Sequence, residues 1–265
     1  MKKTTLVIAL FLLIHNLRAQ DSTTTPRYNE ESLKQLPVLW MQTAAEYRAL
    51  CYQAFNTAKW RMEQMLKKKP LKERWALVTD LDETILDNSY EEAMLIKAGK
   101  VYNNADWGDW VRRSAATGVP GAAEFLQWVH QKGITVFYIS NRDSSQVMST
   151  LTNLQQLKLP NTDTSHMLFL TRTSSKEERR QIVMKKYKVV MLLGDNLNDF
   201  TALFEKKDIA SRKTETDKVR SEWGNRFIVL PNSTYGEWEN ALYNYDRKLV
   251  PAQKDSLRKS LLKAY

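Results

Sequence analysis

Short apolar runs alternate with helical patterns through the central part of the chain. The apolar runs fall at residues 75–79, 134–139, 167–170, 189–193 and 227–230. Helical patterns at about 121–132, 145–157 and 176–186 separate several of these runs. Continuously apolar strands that alternate with helices indicate a parallel sheet covered by helices on both faces. We therefore expect an α/β fold built on a parallel sheet.

The N-terminal part of the chain carries a helical stripe. Apolar side chains recur three or four residues apart at Tyr47, Cys51, Phe55, Ala58, Met62 and Met65. This spacing places them on one face, which predicts a single helix over residues 38–68 that packs against the core. Cys51 is the only cysteine, so it cannot form a disulfide within the chain and is expected to pack as a small apolar residue.

Two segments interrupt the alternation of strands and helices. Residues 87–120 are rich in Trp, Tyr and Asn and are expected to form a cap-like insertion over the end of the sheet. A second aromatic segment begins near residue 231. We expect a main unit at residues 38–245 and a helical tail at 246–265. The N- and C-terminal segments are expected to build a smaller, mainly helical lobe.

The first residues have the pattern of an export signal. Two lysines precede an apolar run from Leu6 to Ile14, and a plausible cleavage site follows at Ala19. We expect residues 1–19 to be removed and residues 20–37 to form a linker, which predicts a periplasmic or secreted protein. The apolar run is too short for a stable membrane span. The residue directly after Ala19 is Gln20 and not a cysteine, so a lipid anchor is not expected.

Composition narrows the range of partners. The 265 residues carry a formal net charge of +10, which suits anionic ligands. The Lys and Arg residues are scattered in pairs and triplets, which favours small phosphate compounds over a nucleic-acid polymer. With 43% apolar residues, the chain can bury one core and a small lobe. A homodimer is compatible with this composition.

Polar side chains follow the predicted strands. The candidates are Asp80 and Asp82 after the first strand, Ser140 after the second, Lys176 after the third, Asp195 after the fourth and Asp199 just beyond it. The carboxyl ends of parallel strands lie at one edge of the sheet, where ligands bind. We therefore expect one rim that gathers four carboxylates, a hydroxyl and an ammonium group.

The chemistry of this rim points to phosphoryl transfer. Four carboxylates repel one another unless a cation joins them, and oxygen ligands without nearby His or Cys favour Mg²⁺. The metal would keep Asp80 ionised as a nucleophile, and Lys176 would help it to neutralise the phosphoryl group. Asp82 points the same way as Asp80 in extended backbone, so it is the candidate general acid and base. Ser140 would hold a phosphate oxygen.

These motifs resemble those of a known family. The string DLDET at 80–84 is similar to the first motif of the haloacid-dehalogenase superfamily of phosphohydrolases, Ser140 to its second, Lys176 to its third, and GDNLNDF at 194–200 to its fourth. DLDETILDNS together with GDNLNDF resembles the class C acid phosphatases, which include the lipoprotein e type 5′-nucleotidases. The resemblance covers most of residues 38–245 and implies a Rossmann-like core.

The resemblance also implies roles for the acidic residues. Asp80 would be the nucleophile, and Asp82 would be the acid and base as well as a metal ligand through its carbonyl. Asp195 would bind the metal through its side chain, with Asp199 close behind it. An enzyme of this kind forms an aspartyl-phosphate intermediate and requires a divalent metal such as Mg²⁺.

The substrates implied by the resemblance are nucleoside monophosphates and other small phosphomonoesters. In the family the base lies between aromatic rings, and Trp107 and Tyr235 occupy the matching positions here. Trp238 is a further candidate for the base site, and Asn141, next to Ser140, is expected to contact substrate. Packing within a lobe is the alternative role for these aromatic side chains.

Two positions are not explained by the resemblance. The tyrosine expected three residues after Asn88 is Glu91, and Tyr90 stands one place earlier. This difference would alter the pocket without changing the chemistry. Arg142 follows the second predicted strand, and the sequence leaves open whether it is a surface charge or a contact to phosphate.

Other functions remain open from the sequence. A binding protein could use the aromatic residues to capture a nucleotide or haem, with hydrolysis as a secondary property. A phosphotransferase could pass the aspartyl-phosphate to an alcohol instead of water. We expect a Mg²⁺-dependent acid phosphatase, because Asp80, Asp82, Lys176 and Asp195 are all present in the expected positions.

Overall fold

A computed structural model describes residues 30–68 and 73–265 of the chain. The predicted signal at 1–19 lies outside these residues, as does most of the predicted linker at 20–37. The described part of that linker is helical, because Glu30–Lys34 forms a 3₁₀ helix and an α-helix begins at Gln35. Among the described residues, no helix combines the length and the apolar character needed to cross a membrane.

The strands confirm the expected parallel sheet. In chain order the described strands are β1 (Trp75–Thr79), β2 (Leu86–Asp87), β3 (Thr117–Gly118), β4 (Thr135–Asp143), β5 (Met167–Leu170), β6 (Lys188–Gly194) and β7 (Phe227–Val229). Five form one parallel sheet in the order β5-β4-β1-β6-β7, and β2 pairs with β3 in an antiparallel ribbon. Strand β1 is central, so its carboxyl end is flanked by those of β4 and β6.

Helices cover the sheet. In the described chain the α-helices are α1 (Gln35–Thr43), α2 (Ala45–Leu66), α3 (Ser89–Ala98), α4 (Asn104–Arg113), α5 (Ala122–Gln131), α6 (Val147–Gln156), α7 (Glu177–Met184), α8 (Ile209–Lys218), α9 (Glu237–Leu242) and α10 (Pro251–Leu261). Local signals define several of their ends. Asn103 caps α4 by accepting from the backbone N–H of Ala105 at 3.1 Å and of Asp106 at 2.9 Å.

Each face of the sheet has its own hydrophobic cluster. Along β1, Leu77 belongs to one cluster, while Ala76 and Val78 belong to the other, as the alternation of side chains across a strand requires. The stripe on α2 and the apolar face of α5 pack in the first cluster. Cys51 is fully buried there, and burial raises the pKa of its thiol to about 11. It packs as an apolar side chain, as expected.

The single helix predicted over residues 38–68 is two helices. The first begins at Gln35, and the chain breaks at Ala44, whose ψ of 129° is that of extended backbone. The break allows two different packing contacts. Helix α1 lies against α3, where Gln42 Nε2 donates to Ser89 Oγ at 3.1 Å, whereas α2 packs against the sheet. One straight helix could not reach both surfaces.

The segment at 87–120 carries α3 and α4, and β2 pairs with β3 at its base. Both ends of the described chain contact this region or each other. Lys34 forms an ion pair with Glu92 of α3 at 3.0 Å, and Glu30 forms one with Lys254 of α10 at 3.0 Å. The smaller helical part of the molecule is therefore assembled from segments that are distant in sequence.

Replacing Phe55 with alanine should weaken the core beneath the sheet. Phe55 is 3% exposed, and its ring centroid lies 5.4 Å from that of Phe125. We expect Phe55→Ala to lower the free energy of unfolding by about 3–5 kcal/mol in urea denaturation. Trp60 lies on the same helix but is 60% exposed, so Trp60→Ala should change stability by less than about 0.5 kcal/mol. Equal losses would contradict this packing of α2.

Candidate active site

The strand ends meet in a cleft. The backbone N–H of Asp80 donates to the carbonyl of Leu193 at 3.0 Å, which holds the end of β1 against that of β6. A cavity of about 670 Å³ opens there, within the size range of small-molecule sites. The predicted residues that line it are Asp80, Asp82, Trp107, Asn141, Lys176, Asp195, Asp199 and Tyr235. Arg142 also lines the cavity, whereas Ser140 and Trp238 do not.

Three carboxylates and one ammonium group form the centre of the cleft. Asp80, Asp195 and Asp199 each offer an oxygen, and these oxygens lie within 4.8 Å of one another. Lys176 Nζ lies 2.7 Å from Oδ1 of Asp199 and also forms an ion pair with Asp80. Asp80, Lys176 and Asp199 are all buried. The structure thus brings these four groups together at one edge of the sheet.

This concentration of charge shifts the pKa values of the groups. Burial raises the pKa of Asp80 well above its ordinary range, and Lys176 only partly opposes that shift. Burial, and then repulsion from Asp199, raise the pKa of Asp195 to about 7. Burial by itself would lower the pKa of Lys176, but Asp199 and Asp80 raise it above the usual value. The lysine therefore stays charged, whereas the raised pKa values of Asp80 and Asp195 show that the charged carboxylate forms are disfavoured unless more positive charge is present.

The donor set fits a divalent metal. The shared negative charge of Asp80, Asp195 and Asp199 would be neutralised by a bound cation. Within the described residues this cluster contains carboxylates and neither His nor Cys, and such oxygen donors suit a hard cation. Asp82 was predicted to bind the metal through its backbone carbonyl, and its side chain lies outside this carboxylate cluster.

Gly194, the last residue of β6, makes room for Asp199. A Cβ at position 194 would lie 2.8 Å from Cγ of Asp199, so any side chain there would displace the carboxylate. Oδ2 of Asp199 accepts from the backbone N–H of Asn196 at 3.0 Å. Asn196 in turn caps the 3₁₀ helix Leu197–Asp199. The GDNLND string is thus a turn that folds its second aspartate back onto the strand end.

Two neutral donors orient Asp195. Thr84 Oγ1 donates to Oδ1 at 3.2 Å, and Asn232 Nδ2 donates to Oδ2 at 2.8 Å. These hydrogen bonds align the carboxylate without removing its charge. Asn232 was not predicted from the sequence, although it follows β7 at the same edge of the sheet as the aspartates. That position was the signal that could have identified it.

Two buried arginines of α7 hold the loops of the site. Arg179 donates to the carbonyl of Ser140 at 2.6 Å and to Oδ1 of Asn141 at 2.6 Å. Arg180 donates to the carbonyl of Asp199 at 2.9 Å. Both arginines lie in the helix predicted at about 176–186, and neither was expected to contribute to the site. Their burial, which depends on how α7 docks on the sheet, could not be predicted from the charge pattern.

Asp82 turns away from the other carboxylates and toward Arg142. Its Oδ1 accepts from Arg142 Nη2 at 2.7 Å and from Asn88 Nδ2 at 2.9 Å. Ser140 Oγ donates to Oδ2 of Asp82 at 3.4 Å. Strand β4 continues through Ser140, so the hydroxyl is fully buried. In this arrangement the Ser140 hydroxyl contacts Asp82, and its expected contact with a phosphate oxygen stays a prediction.

Trp107 and Tyr235 form the aromatic sides of the cleft. The Trp107 ring lies 6.5 Å from that of Tyr102 between centroids and 5.4 Å from the guanidinium carbon of Arg142. The Tyr235 hydroxyl donates to Oε2 of Glu83, a buried residue of the loop after β1. Glu83 was noted only as part of the DLDET string. It links the loop that carries Asp80 to the aromatic wall.

Trp238 does not share this cleft. It is 45% exposed and lines a second cavity of about 510 Å³, which adjoins the first and shares Asp195, Asn196, Tyr235 and Gly236 with it. Its Nε1 donates to the carbonyl of Tyr235 at 3.2 Å. Gly236, with a φ of 144°, lies between the two residues at the start of α9. The structure thus places Trp238 in the adjoining cavity, and its expected role beside substrate stays a prediction.

Glu91 occupies the wall of the cleft. It is the residue that stands where the family resemblance predicts a tyrosine, and it is only 2% exposed. Its Oε1 is buried without a hydrogen-bond partner among the described residues. Burial, and then the neighbouring Glu92, raise the pKa of Glu91 to about 7. Tyr90, one place earlier, is exposed and stacks on Trp110.

Comparisons with known proteins agree with this geometry. The profile of the haloacid-dehalogenase (HAD) superfamily, subfamily IIIB (acid phosphatase), matches residues 4–238. The class C acid phosphatase from Bacillus anthracis with tungstate bound is 37% identical, with a TM-score of 0.86 over 90% of this chain and 100% of that chain. A second structure of the class C acid phosphatase from Bacillus anthracis is 38% identical, with a TM-score of 0.85 over 89% of this chain and 98% of that chain.

The parallel sheet, with acidic groups gathered at its carboxyl edge, is that of a phosphohydrolase of the HAD type. The extent of the match then shows that the chain belongs to the subfamily IIIB acid phosphatases of the HAD superfamily. It is an acid phosphatase of class C, an enzyme that hydrolyses phosphomonoesters. HAD phosphatases use a divalent metal, and the cluster of Asp80, Asp195 and Asp199 could bind one.

Replacing Glu91 with glutamine should stabilise the protein most at neutral and higher pH. The pKa of Glu91 rises from an ordinary 4.5 to about 7 on folding, so the folded state binds more protons between these values. Stability is therefore lost as the pH rises through this window. We expect the melting temperature of Glu91→Gln to exceed that of the unmodified protein by about 3 °C or more at pH 8, and by much less at pH 4.5.

Thermal unfolding followed by circular dichroism between pH 4.5 and 8 measures this difference. Glu46 is exposed on α2, and Glu46→Gln serves as the matched control with no pH-dependent gain. A gain for Glu91→Gln that is the same at every pH would contradict the assigned burial of the carboxyl group.

Proposed function

We propose that the protein is an exported, Mg²⁺-dependent acid phosphatase that hydrolyses small phosphomonoesters, including nucleoside 5′-monophosphates, through an aspartyl-phosphate on Asp80. One observation carries the proposal. The carboxylate of Asp80 stands at the end of the central strand, paired with the buried Lys176, within 4.8 Å of oxygens from Asp195 and Asp199. A nucleophile, a cation and a metal-binding donor set thus share one cleft.

Formation of the phosphoenzyme uses Asp80 and Asp82. An oxygen of Asp80 attacks phosphorus while the bond from phosphorus to the ester oxygen breaks. Lys176 stabilises the negative charge that spreads over the phosphoryl oxygens. Asp82 donates its proton to the departing oxygen, so the alcohol leaves neutral. Because Asp82 must carry a proton when the ester arrives, this step favours acidic pH.

Hydrolysis of the phosphoenzyme returns the groups to their starting state. Asp82, now ionised, removes a proton from water as the water oxygen attacks phosphorus. The bond between phosphorus and the oxygen of Asp80 breaks, which releases inorganic phosphate and restores both side chains. The position of Asp82 outside the carboxylate cluster supports this division of roles between two aspartates that are only two residues apart.

Mg²⁺ is the metal that best suits the donors of Asp80, Asp195 and Asp199, because it binds through a few carboxylates together with substrate phosphate. When bound, it would supply positive charge for the transferring phosphoryl group. One of the similar structures, the class C acid phosphatase from Bacillus anthracis, holds tungstate. Tungstate is a tetrahedral oxyanion like phosphate, which supports a phosphate site in this cleft.

The aromatic sides of the cleft support nucleotides as substrates. Trp107 and Tyr235 line the same cavity as the nucleophile, and aromatic rings bind nucleobases by stacking.

Export is supported by the lysines, the apolar run and the cleavage pattern within residues 1–19. Both proposals go beyond membership of the family and need their own tests.

Replacing Asp80 with asparagine should abolish hydrolysis and leave the fold intact. The substitution removes the attacking anion but keeps the size of the side chain, and Lys176 retains its ion pair with Asp199. We expect phosphate release from 4-nitrophenyl phosphate at pH 5–6 with Mg²⁺ to fall about 10³-fold or more. Unchanged melting behaviour is the control for folding. Substantial residual turnover would place the nucleophile elsewhere.

Replacing Trp107 with alanine should affect nucleotides more than small aryl esters. Loss of one stacking face should lower kcat/KM for a nucleoside 5′-monophosphate about tenfold more than for 4-nitrophenyl phosphate. Trp238→Ala is the matched comparison, because Trp238 lines the second cavity. Steady-state kinetics on both esters measures the difference. If both tryptophan variants lose equally on both esters, base stacking against Trp107 is excluded.

A further inference from the structure

Arg142 is a buried cation of the cleft whose role the sequence leaves open. It lies near the end of β4, is 3% exposed and lines the cavity. Its backbone N–H donates to Oγ of Ser140 at 3.1 Å, which fixes the main chain at this point. A buried guanidinium must have partners for its N–H groups, so the groups that it contacts indicate what it does.

The main partner of Arg142 is the carboxylate of Asp82. Nη2 donates to Oδ1 at 2.7 Å, and Nε lies 3.0 Å from Oδ1 and 3.2 Å from Oδ2. The remaining N–H groups also bond to buried partners. Nη1 donates to Thr150 Oγ1 at 3.0 Å, and Nη2 lies 3.3 Å from Oδ1 of Asn88. The guanidinium is therefore held in place by α6 and by the loop before α3.

Arg142 also contacts the aromatic wall. Its guanidinium carbon lies 5.4 Å from the centroid of the Trp107 ring, within the range of a cation–π interaction. Asn88 extends this connection, because its Oδ1 accepts from Trp110 Nε1 at 2.9 Å. The orientation of Asp82 is thus tied to the side of the cleft against which a leaving group would pack.

We propose that Arg142 is a positioning residue, which holds the carboxyl group of Asp82 where the oxygen of the leaving group departs. The inference rests on the proposed function, in which Asp82 transfers a proton to that oxygen. Proton transfer requires hydrogen-bond reach and alignment. The planar guanidinium holds Oδ1 most closely, through Nη2 at 2.7 Å and Nε at 3.0 Å, which leaves Oδ2 to carry the proton that is transferred. A lysine offers a single point charge without this geometry.

This role predicts a dependence on the leaving group. A nitrophenolate ion is a stable leaving group and departs with little help from an acid. An alkoxide is strongly basic, so its departure depends on proton transfer. Loss of the correct orientation of Asp82 should therefore slow alkyl phosphates much more than aryl phosphates. A residue that only bound the phosphoryl group would affect both esters equally.

The test compares Arg142→Lys with the unmodified protein on glycerol 2-phosphate and 4-nitrophenyl phosphate. The quantity measured is kcat/KM, because it reports the formation of the phosphoenzyme and excludes the later hydrolysis, which is common to both esters. We expect a loss of about 100-fold on the alkyl ester and of less than about threefold on the aryl ester. Equal losses on the two esters, or no loss on either, would overturn the proposal.

Three further variants make the test specific. Arg113→Lys is the matched control, because Arg113 is exposed at the end of α4 and should leave both rates unchanged. Thr150→Val removes a fully buried contact of the guanidinium and should cause a smaller loss with the same bias toward the alkyl ester. If Arg142→Lys fails to fold, this variant decides the question alone.

A double-mutant cycle with Asp82→Asn separates an effect through Asp82 from an independent one. If Arg142 acts through Asp82, adding Arg142→Lys to Asp82→Asn should cause little further loss of kcat/KM on the alkyl ester. Additive losses would overturn the proposal. Activity retained by Asp80→Asn would contradict the proposed function itself. If Asp80→Asn is inactive but Arg142→Lys slows both esters equally, the proposed function stands and only the role of Arg142 is contradicted.

Discussion

Three aspartates crowd together where β1 and β6 end, and one buried lysine, Lys176, forms ion pairs with two of them, Asp80 and Asp199. Two like charges 4 Å apart repel by roughly 4 kcal/mol at an effective dielectric constant of 20. Such a cluster persists only if other groups hold each carboxylate in place. Asp195 is held by two neutral donors, and Asp199 is held by the turn that follows β6. The arrangement of the three carboxylates therefore depends on the surrounding donors and turns as much as on the aspartates themselves.

The framework divides the acidic groups into two environments. Asp80 faces Lys176 and the other members of the cluster, whereas Asp82 faces Arg142 and Ser140. Carboxyl groups in different surroundings can perform different chemical tasks. A short turn after β1 produces this division, because Leu81 O accepts from the backbone N–H groups of both Ile85 and Leu86 at 2.8 Å. The local backbone thus separates the proposed nucleophile, Asp80, from the proposed proton carrier, Asp82.

The sheet and the centre of the site could be predicted because they depend on local patterns. An apolar run followed by a polar residue identifies both a buried strand and the group at its end, which is how Asp80 and Asp195 were found. The features that could not be predicted are those that result from contacts between segments distant in sequence. The break at Ala44 results from the contact between α1 and α3, and the burial of Arg179 results from the docking of α7.

The side-chain directions were the least predictable part of the site. Ser140 belongs to the expected motif, but the extension of β4 turns its hydroxyl toward Asp82. Trp238 lies only three residues after Tyr235, yet the turn at Gly236 sends it to another cavity. In both cases the sequence predicted that the residue lies near the site. It did not predict the backbone geometry, which determines the direction of the side chain.

Gly194 shows that the substitutions that this site can accept are limited partly by the volume of the side chain. Its α-hydrogen faces a carboxylate that leaves no space for even one methyl group. An uncharged replacement there would push Asp199 away from Lys176, and the electrostatic balance would change although no charge had been added or removed. The ion pair between Lys176 and Asp199 therefore depends on the absence of a side chain at Gly194 as well as on the two charged groups.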